Sequence, residues 1–193
     1  MVANGDHRGM SGNALTSILE RLSVLKLEDR WKRNFKYLRL SITDRCNYRC
    51  IYCLPDGYKN IHKSPEITLS EIGFLSDALA DLGVEKIRIT GGEPCLRRDL
   101  FAIAERIRCN PKIKTLALST NAYSLERDAE RLLVSGFDSI NISLDSMNEG
   151  SFRKITHGKH FQSILRGIDF ALSLGFKSIK LNAVLMKNFN DNE

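Results

Sequence analysis

Residues 37–53 read Tyr-Leu-Arg-Leu-Ser-Ile-Thr-Asp-Arg-Cys-Asn-Tyr-Arg-Cys-Ile-Tyr-Cys. The first part alternates apolar and polar side chains, which is typical of a β-strand with two unlike faces. The second part places Cys46, Cys50 and Cys53 with three and then two residues between them. Thiolates this close can share one soft metal centre, yet a closed iron–sulfur or structural zinc site normally takes four ligands. A cubane held by three would keep one iron open, so the stretch predicts a reactive site.

From Tyr37 onward, short β-like runs alternate with helical patterns, which is typical of successive β-α-β units around a parallel sheet. Five strands are predicted, near residues 37–43, 84–90, 115–120, 139–144 and 178–184. Apolar residues at helical spacing predict four helices between them. These residues are Ile72, Leu75, Leu79 and Leu82; Leu100, Ile103 and Ile107; Leu125, Ala129 and Leu132; and Ile164, Leu165, Ile168 and Leu172. Thr68 to Glu71 fits a capping box that begins the first helix.

The two faces of the predicted sheet differ in polarity. One parity is apolar and is expected to face the helices: Leu38, Leu40, Ile42, Ile87, Ile89, Leu116, Leu118, Ile140, Ile142, Leu144, Ile179 and Leu181. The other parity is polar: Arg39, Ser41, Arg88, Thr90, Ser119, Asn141, Ser143, Asp145, Lys180 and Asn182. Parallel strands covered on both sides are normally apolar on both faces. The polar face therefore predicts an α/β fold with a wet or ligand-filled lumen, as in an incomplete TIM-type barrel, with ligand groups at the carboxyl ends of the strands.

Three residues of this polar face, Arg39, Arg88 and Lys180, are cationic. Unpaired charges in a lumen are costly, and a polyanionic substrate would neutralise them. The alternative is that each charge reaches solvent or pairs with an acid at a strand end, such as Asp145. Gly91-Gly92-Glu93-Pro94 directly follows the second strand, and its two glycines would let backbone approach a ligand where a Cβ would intrude.

The composition independently limits the class of protein, its compartment and its partners. The chain has 193 residues, 42% of them hydrophobic and 27% charged, which is ordinary for one soluble domain. Cys95 and Cys109 are isolated, so a reducing compartment is expected and a disulfide framework is not. No apolar run approaches the roughly 20 residues that span a bilayer, and no signal peptide is recognisable. The net charge of +6 comes without basic residues interleaved with exposed aromatics, so neither a membrane nor a nucleic-acid partner is expected.

Residues 1–34 are predicted to form an N-terminal extension. Residues 1–13 are small and polar, and the apolar residues that follow recur at helical spacing: Leu15, Ile18, Leu19, Leu22 and Leu25. We expect a disordered start and then an amphipathic helix. Four acidic residues favour a packing extension over an organellar transit peptide: Asp6, Glu20, Glu28 and Asp29.

The cysteine motif, the stretch Leu-Arg-Leu-Ser-Ile-Thr-Asp-Arg-Cys (38–46) and the run Lys-Ile-Arg-Ile-Thr-Gly-Gly-Glu-Pro (86–94) together resemble the radical S-adenosylmethionine (SAM) enzymes. Within that superfamily they are similar to the GTP 3′,8-cyclases of molybdenum cofactor biosynthesis. The resemblance covers about residues 35–193, which we expect to form the radical SAM core. It implies a [4Fe–4S] cluster on Cys46, Cys50 and Cys53, whose open iron chelates SAM.

Carried onto this sequence, the resemblance implies that Tyr52, Gly92 and Ser143 contact SAM. It implies that four lumen residues hold GTP: Arg39, Arg88, Ser119 and Lys180. Ser119 stands where the family commonly has threonine. A 5′-deoxyadenosyl radical would take hydrogen from the ribose of GTP, and the carbon radical would attack C8 of guanine. An electron donor and the next enzyme of the pathway are the implied partners, a homodimer is compatible, and the expected compartment is the cytoplasm, or the mitochondrial matrix in a eukaryote.

The family also carries a second [4Fe–4S] cluster on three cysteines further downstream. This chain has no cysteine after Cys109 and ends at Glu193, so we expect a fragment that stops before the last strand and the second cluster. Two other functions stay open. One is a different radical SAM enzyme, such as a peptide or cofactor maturase. The other is a non-enzymatic iron–sulfur or zinc module, in which His62 would be the fourth zinc ligand. His157 and His160 are expected in a surface loop, and Cys95 is expected to be a small packing residue.

Overall fold

The computed structural model describes residues 26–59 and 65–193. Within them, five strands alternate with helices. The strands are β1 (Tyr37–Ser41), β2 (Lys86–Thr90), β3 (Thr115–Thr120), β4 (Ser139–Ser143) and β5 (Ser178–Asn182). The helices are α1 (Leu69–Asp81), α2 (Leu100–Arg108), α3 (Leu125–Val134), α4 (Glu149–Thr156) and α5 (Phe161–Ser173), and a 3₁₀ turn spans Pro94–Leu96. The predicted N-terminal helix and His62 lie outside the described residues.

The strands form one parallel sheet in the order β1-β2-β3-β4-β5. Each helical crossover therefore returns the chain to the next position in the sheet, as in a barrel that has not closed. This confirms the predicted α/β class and all five strands, with ends that differ by up to two residues. At the end of β1, for example, the Ile42 N–H still donates to Thr90 O at 3.0 Å before the chain leaves the sheet.

The apolar face of the sheet lies under the helices, as predicted, and its central members are buried: Leu40, Ile87, Ile89, Leu116, Leu118, Ile140 and Ile142. Two predicted core positions are wrong. Leu172 is 63% exposed because the buried stripe of α5 runs through Ile164 and Ala171, one position earlier. Leu181 is 52% exposed although its parity is that of the buried face. It lies on β5, the edge strand, which has a neighbouring strand on one side only.

Helix α1 begins where the sequence predicts. The Glu71 N–H donates to Thr68 Oγ1 at 3.2 Å, and the Thr68 N–H donates to Glu71 Oε2 at 2.8 Å. Both halves of the capping box are thus formed, and two of the orphan amides at the helix start are satisfied. Before β1, the Leu27 N–H donates to Leu82 O at 2.9 Å, which ties residue 27 to the end of α1.

Helix α4 is an element that the apolar spacing did not predict. Its N-cap is Asn148, whose side-chain oxygen accepts the N–H groups of Gly150 and Ser151, and the helix buries Phe152 and Ile155. Eight residues with two large apolar side chains give a weak periodic signal, although the capping asparagine was a local indication. No helix in the described ranges is long and apolar enough to span a bilayer.

Candidate functional site

The three cysteines lie on the segment that follows β1, at the carboxyl edge of the sheet. We call residues 42–58 the cysteine loop. Cys46 and Cys50 are half-buried and pack against the hydrophobic core, whereas Cys53 is exposed. The loop makes a turn there, since the N–H groups of Cys53 and Leu54 both donate to Cys50 O, at 2.9 and 3.0 Å. One tight turn therefore carries the Cys50 and Cys53 thiols, and Cys46 lies four residues before Cys50.

The electrostatic setting of these thiols disfavours charge. Burial first, and then the neighbouring Asp145 carboxylate and the Cys46 and Cys53 thiolates, raise the pKa of the Cys50 thiol to about 12. Burial likewise raises the pKa of Cys46, in spite of backbone hydrogen bonds that lower it. Among the described residues, no three His, Cys, Asp or Glu side chains are drawn together closely enough to hold a metal ion. The Cys46 and Cys53 thiolates nevertheless lie close enough to Cys50 to repel its charged form.

The glycines after β2 accommodate the backbone of the cysteine loop. The Gly92 N–H donates to Thr43 O at 2.7 Å, and the Glu93 N–H donates to Arg45 O at 2.7 Å. A Cβ on Gly92 would lie 2.6 Å from the Arg45 carbonyl carbon and 2.7 Å from Asp44 O. The close approach that we expected for a ligand is therefore already made by the protein itself. Gly92 remains exposed on its other side.

Glu93 links the carboxyl ends of β2 and β3, and sequence reasoning did not identify it. Its fully buried carboxylate accepts three hydrogen bonds: from the N–H of Cys95 (2.9 Å), the hydroxyl of Thr120 (2.8 Å) and the N–H of Asn121 (2.6 Å). Asn121 in turn donates through Nδ2 to Asn47 Oδ1 in the cysteine loop at 2.8 Å. An acid placed between Gly-Gly and Pro directly after a buried strand was the available signal.

Tyr52 of the cysteine loop is joined to the segment that follows Ser143 at the end of β4. The Tyr52 hydroxyl donates to Asp145 Oδ2 at 2.7 Å, and the Val184 N–H donates to Asp145 Oδ1 at 2.9 Å. Burial, and then the hydrogen bond to Asp145, raise the pKa of Tyr52. Ser143 is exposed two residues before Asp145. The three predicted SAM contacts, Tyr52, Gly92 and Ser143, therefore all lie at the carboxyl edge beside the cysteines.

The predicted substrate residues lie on the inner face in two rows. Arg39 is directly opposite Arg88, and Ser119, Asn141 and Lys180 follow one another across β3, β4 and β5. Arg39 and Lys180 are exposed. The Arg88 Nε is buried and has no hydrogen-bond partner in the described part of the chain. A buried donor of this kind is costly to leave unpaired.

Lys86 adds a fourth cation that sequence reasoning passed over. It stands opposite Tyr37, one row nearer the amino edge than Arg88, and its Nζ lies 5.3 Å from the Tyr37 ring centroid. The Arg88 guanidinium lies 5.4 Å from the same ring. Lys86 shares the parity of Arg88, which was the signal that could have found it.

Residues 40–193 match the family described as the radical SAM superfamily. The chain is 51% identical over 168 residues to the GTP 3′,8-cyclase of Photorhabdus laumondii, which covers 87% of this chain and 51% of that protein. It is 48% identical over 176 residues to the GTP 3′,8-cyclase of Haemophilus influenzae, which covers 91% of this chain and 52% of that protein. The chain thus spans about half the length of the curated relatives it matches.

Solved structures share the fold at lower identity. SuiB of Streptococcus suis, bound to S-adenosylmethionine, superposes with a TM-score of 0.67 at 18% identity, over 91% of this chain and 39% of that chain. The FeFe-hydrogenase maturase HydG from Carboxydothermus hydrogenoformans superposes with a TM-score of 0.63 at 19% identity, over 76% of this chain and 35% of that chain.

Proposed function

Because the chain belongs to the radical SAM superfamily, we propose that it forms the SAM-cleaving and nucleotide-binding core of a GTP 3′,8-cyclase, the first enzyme of molybdenum cofactor biosynthesis. The identity of about half of all aligned residues to two such cyclases supports the proposal. The observation that carries it is the cationic pair of Arg39 and Arg88 on the lumen face, on the same sheet whose carboxyl edge holds the cysteines.

The donor set fits a [4Fe–4S] cluster with one open iron. Cys46, Cys50 and Cys53 supply three thiols on one loop, and their mutual repulsion as thiolates is relieved when each binds a cation. Half-burial of the first two against the core also limits access of water and oxidants. When bound, the cluster supplies the electron that splits SAM into methionine and a 5′-deoxyadenosyl radical.

The residues at the carboxyl edge are assigned to SAM. Gly92 presents an exposed backbone edge next to the loop, and Ser143 presents a hydroxyl at the end of β4. Tyr52 is held in place by its hydrogen bond to the buried Asp145. The Tyr52 hydroxyl is occupied by that bond, so we assign the contact with the cofactor to its ring and backbone.

The lumen residues are assigned to GTP. Arg39 and Arg88 can hold its phosphates, since guanidinium groups bind phosphate with paired, charge-assisted hydrogen bonds. Lys180 and Ser119 lie one row closer to the cysteines. Ser143 lies four residues beyond the level of Arg88, because Arg88 pairs with Ala117 and Ala117 with Ser139. At about 3.3 Å per residue, roughly 13 Å separates the phosphate level from the SAM level. The ribose would lie between them.

The same proposal includes two partners, which are an electron donor and the next enzyme of the pathway. It also includes a second cluster in the remainder of a longer protein. The division of the chain into an extension over residues 1–34 and a core over residues 35–193 belongs to it as well. The open edge at β5 is where further barrel strands would join.

The test is 5′-deoxyadenosine formation by the anaerobically reconstituted chain with SAM and a strong reductant, with and without GTP. GTP affinity is measured separately by calorimetry on the parent chain, on Arg88→Gln and on Lys112→Gln, which removes a charge from an exposed ion pair with Asp81. We expect Arg88→Gln to weaken GTP binding about 10- to 100-fold, the value of one charge-assisted hydrogen bond, and Lys112→Gln to leave it unchanged.

Each result bears on a different part of the proposal. SAM cleavage without any binding of GTP would contradict the cyclase assignment and favour another radical SAM enzyme, such as a maturase. Zinc without iron after anaerobic preparation would contradict the radical SAM chemistry itself and favour a structural module.

A further inference from the structure

Helix α4 ends against the cysteine loop, and its last carbonyl groups are taken up by that loop. The Arg49 N–H donates to Thr156 O at 3.0 Å, and the Ile51 N–H donates to Ile155 O at 3.0 Å. The last carbonyls of a helix have no partner inside the helix. The two amides that flank Cys50 therefore cap α4, and the backbone on both sides of Cys50 is fixed by it.

The side chain of Tyr48 makes a second link to the same region. Its ring is 4% exposed and meets Phe152 of α4 edge to face, with centroids 5.9 Å apart. On another side it stacks on the His160 ring at 6.4 Å with an interplanar angle of 16°. Gly158 closes the pocket, because a Cβ at that position would lie 2.9 Å from two carbons of the Tyr48 ring and 2.9 Å from Thr156 Oγ1. The ring thus occupies a pocket built by residues 152–160.

We propose that Tyr48 is a positioning residue for Cys50, and that Gly158 is required because it makes room for the Tyr48 ring. The inference rests on the proposed cluster, which Cys50 would bind. Only Arg49 separates Tyr48 from Cys50, and the amides on either side of Cys50 are held by α4. A ring displaced from its pocket must therefore move Arg49 and Cys50 or break the hydrogen bonds to α4. Groups that orient metal ligands in this way typically change metal affinity 10- to 100-fold when they are altered.

The test compares cluster retention in the full chain, reconstituted anaerobically without GTP. Release of iron to a chelator and the electron paramagnetic resonance spectrum of the reduced cluster are measured for the parent, Gly158→Ala and Gly150→Ala. Gly150 lies at the start of the same helix, and a Cβ there would meet only Asn148 Oδ1, at 3.1 Å. We expect Gly158→Ala to release iron about 10-fold faster with a changed spectrum, and Gly150→Ala to match the parent.

Two further variants guard against simple misfolding. His160→Ala removes one wall of the pocket without adding bulk, and we expect it to speed iron release in the same direction. Tyr48→Leu removes the ring carbons that a new Cβ at position 158 would meet. Of the three close contacts only the one with Thr156 Oγ1 then remains. Adding Gly158→Ala to Tyr48→Leu should therefore cause a smaller loss than Gly158→Ala causes in the parent, which is the coupling expected of two residues in contact.

Parent-like iron release and spectra in both Gly158→Ala and His160→Ala would overturn the proposal, as would equal losses in Gly150→Ala. If Gly158→Ala does not fold, the proposal is tested by comparing iron release from His160→Ala with that from Gly150→Ala and the parent. A parent chain that holds no cluster at all would overturn the proposed function, and this inference with it.

Discussion

Replacing Gly92 with alanine is expected to push the cysteine loop away from the exit of β2. The new Cβ would lie 2.6 Å from the Arg45 carbonyl carbon and 2.7 Å from Asp44 O, and both of these belong to backbone. Backbone cannot swing aside as a long side chain can. The loop must shift as a whole, and this breaks the hydrogen bonds from the Gly92 N–H to Thr43 O and from the Glu93 N–H to Arg45 O.

The size of the effect follows from these contacts. Overpacking of this kind costs about 1–3 kcal/mol, and two lost backbone hydrogen bonds add about 0.5–1.5 kcal/mol each. The expected loss in the free energy of unfolding is about 2–6 kcal/mol. At a slope of about 2 kcal/mol per molar urea, the unfolding midpoint would fall by about 1–3 M. Bound iron after reconstitution should fall with it, because the loop that moves carries Cys46.

The assay is urea unfolding of the chain followed by circular dichroism, together with iron per chain after anaerobic reconstitution. Gly150→Ala serves as the matched control, since its Cβ meets no backbone. A Gly92→Ala chain with a midpoint within about 0.3 M of the parent and a full iron content would refute the reasoning. It would show that the loop adjusts freely and that the hydrogen bonds to Thr43 and Arg45 do not hold it.

Two further outcomes are expected. Burial raises the pKa of Asp138, but hydrogen bonds from Lys177 and from the Leu116 N–H, with the nearby Arg108 charge, hold it below its ordinary value. Its contribution to stability is therefore present above about pH 4 and lost as the pH falls through the lowered pKa. Asp138→Asn should lower the free energy of unfolding by about 1–3 kcal/mol at pH 7, and its stability should fall less steeply than that of the parent as the pH drops from 7 to 2. An equally steep fall in the variant would contradict this. Thr68→Ala should lower the free energy of unfolding by about 1 kcal/mol through loss of the cap on α1, whereas a urea midpoint equal to that of Ser70→Ala would count against it.

The sheet was predictable because its signal is local. Side chains two apart share a face, so the alternation from Leu38 to Ile42 and from Ile87 to Ile89 sets the strand and its buried side without knowledge of any partner. The capping box at Thr68 is equally local. Leu181 shows where this reasoning ends, because its parity is correct and its burial depends on what lies beside β5.

The supports of the candidate site were harder to predict because they join distant parts of the chain. Asn47 meets Asn121, and Tyr48 lies against His160, more than 70 residues away in each case. His160 was correctly expected to be exposed, yet its ring forms a wall of the Tyr48 pocket. The residue types of the motif indicate its chemistry, whereas the residues that hold the motif in place carry no signature of their own.

Three of the contacts that hold the cysteine loop come from different directions, and this has a consequence for the proposed chemistry. The exit of β2 fixes the start of the loop through Gly92, the end of β3 fixes Asn47 through Asn121, and the end of α4 fixes the backbone around Cys50. An open iron can bind and orient a small molecule only if its three ligands do not move when that molecule arrives. Groups held in advance lose little freedom at the moment of reaction, and such preorganisation is a large part of what a protein adds to a cofactor. Three separate anchors on one loop of fewer than twenty residues are what this requirement predicts.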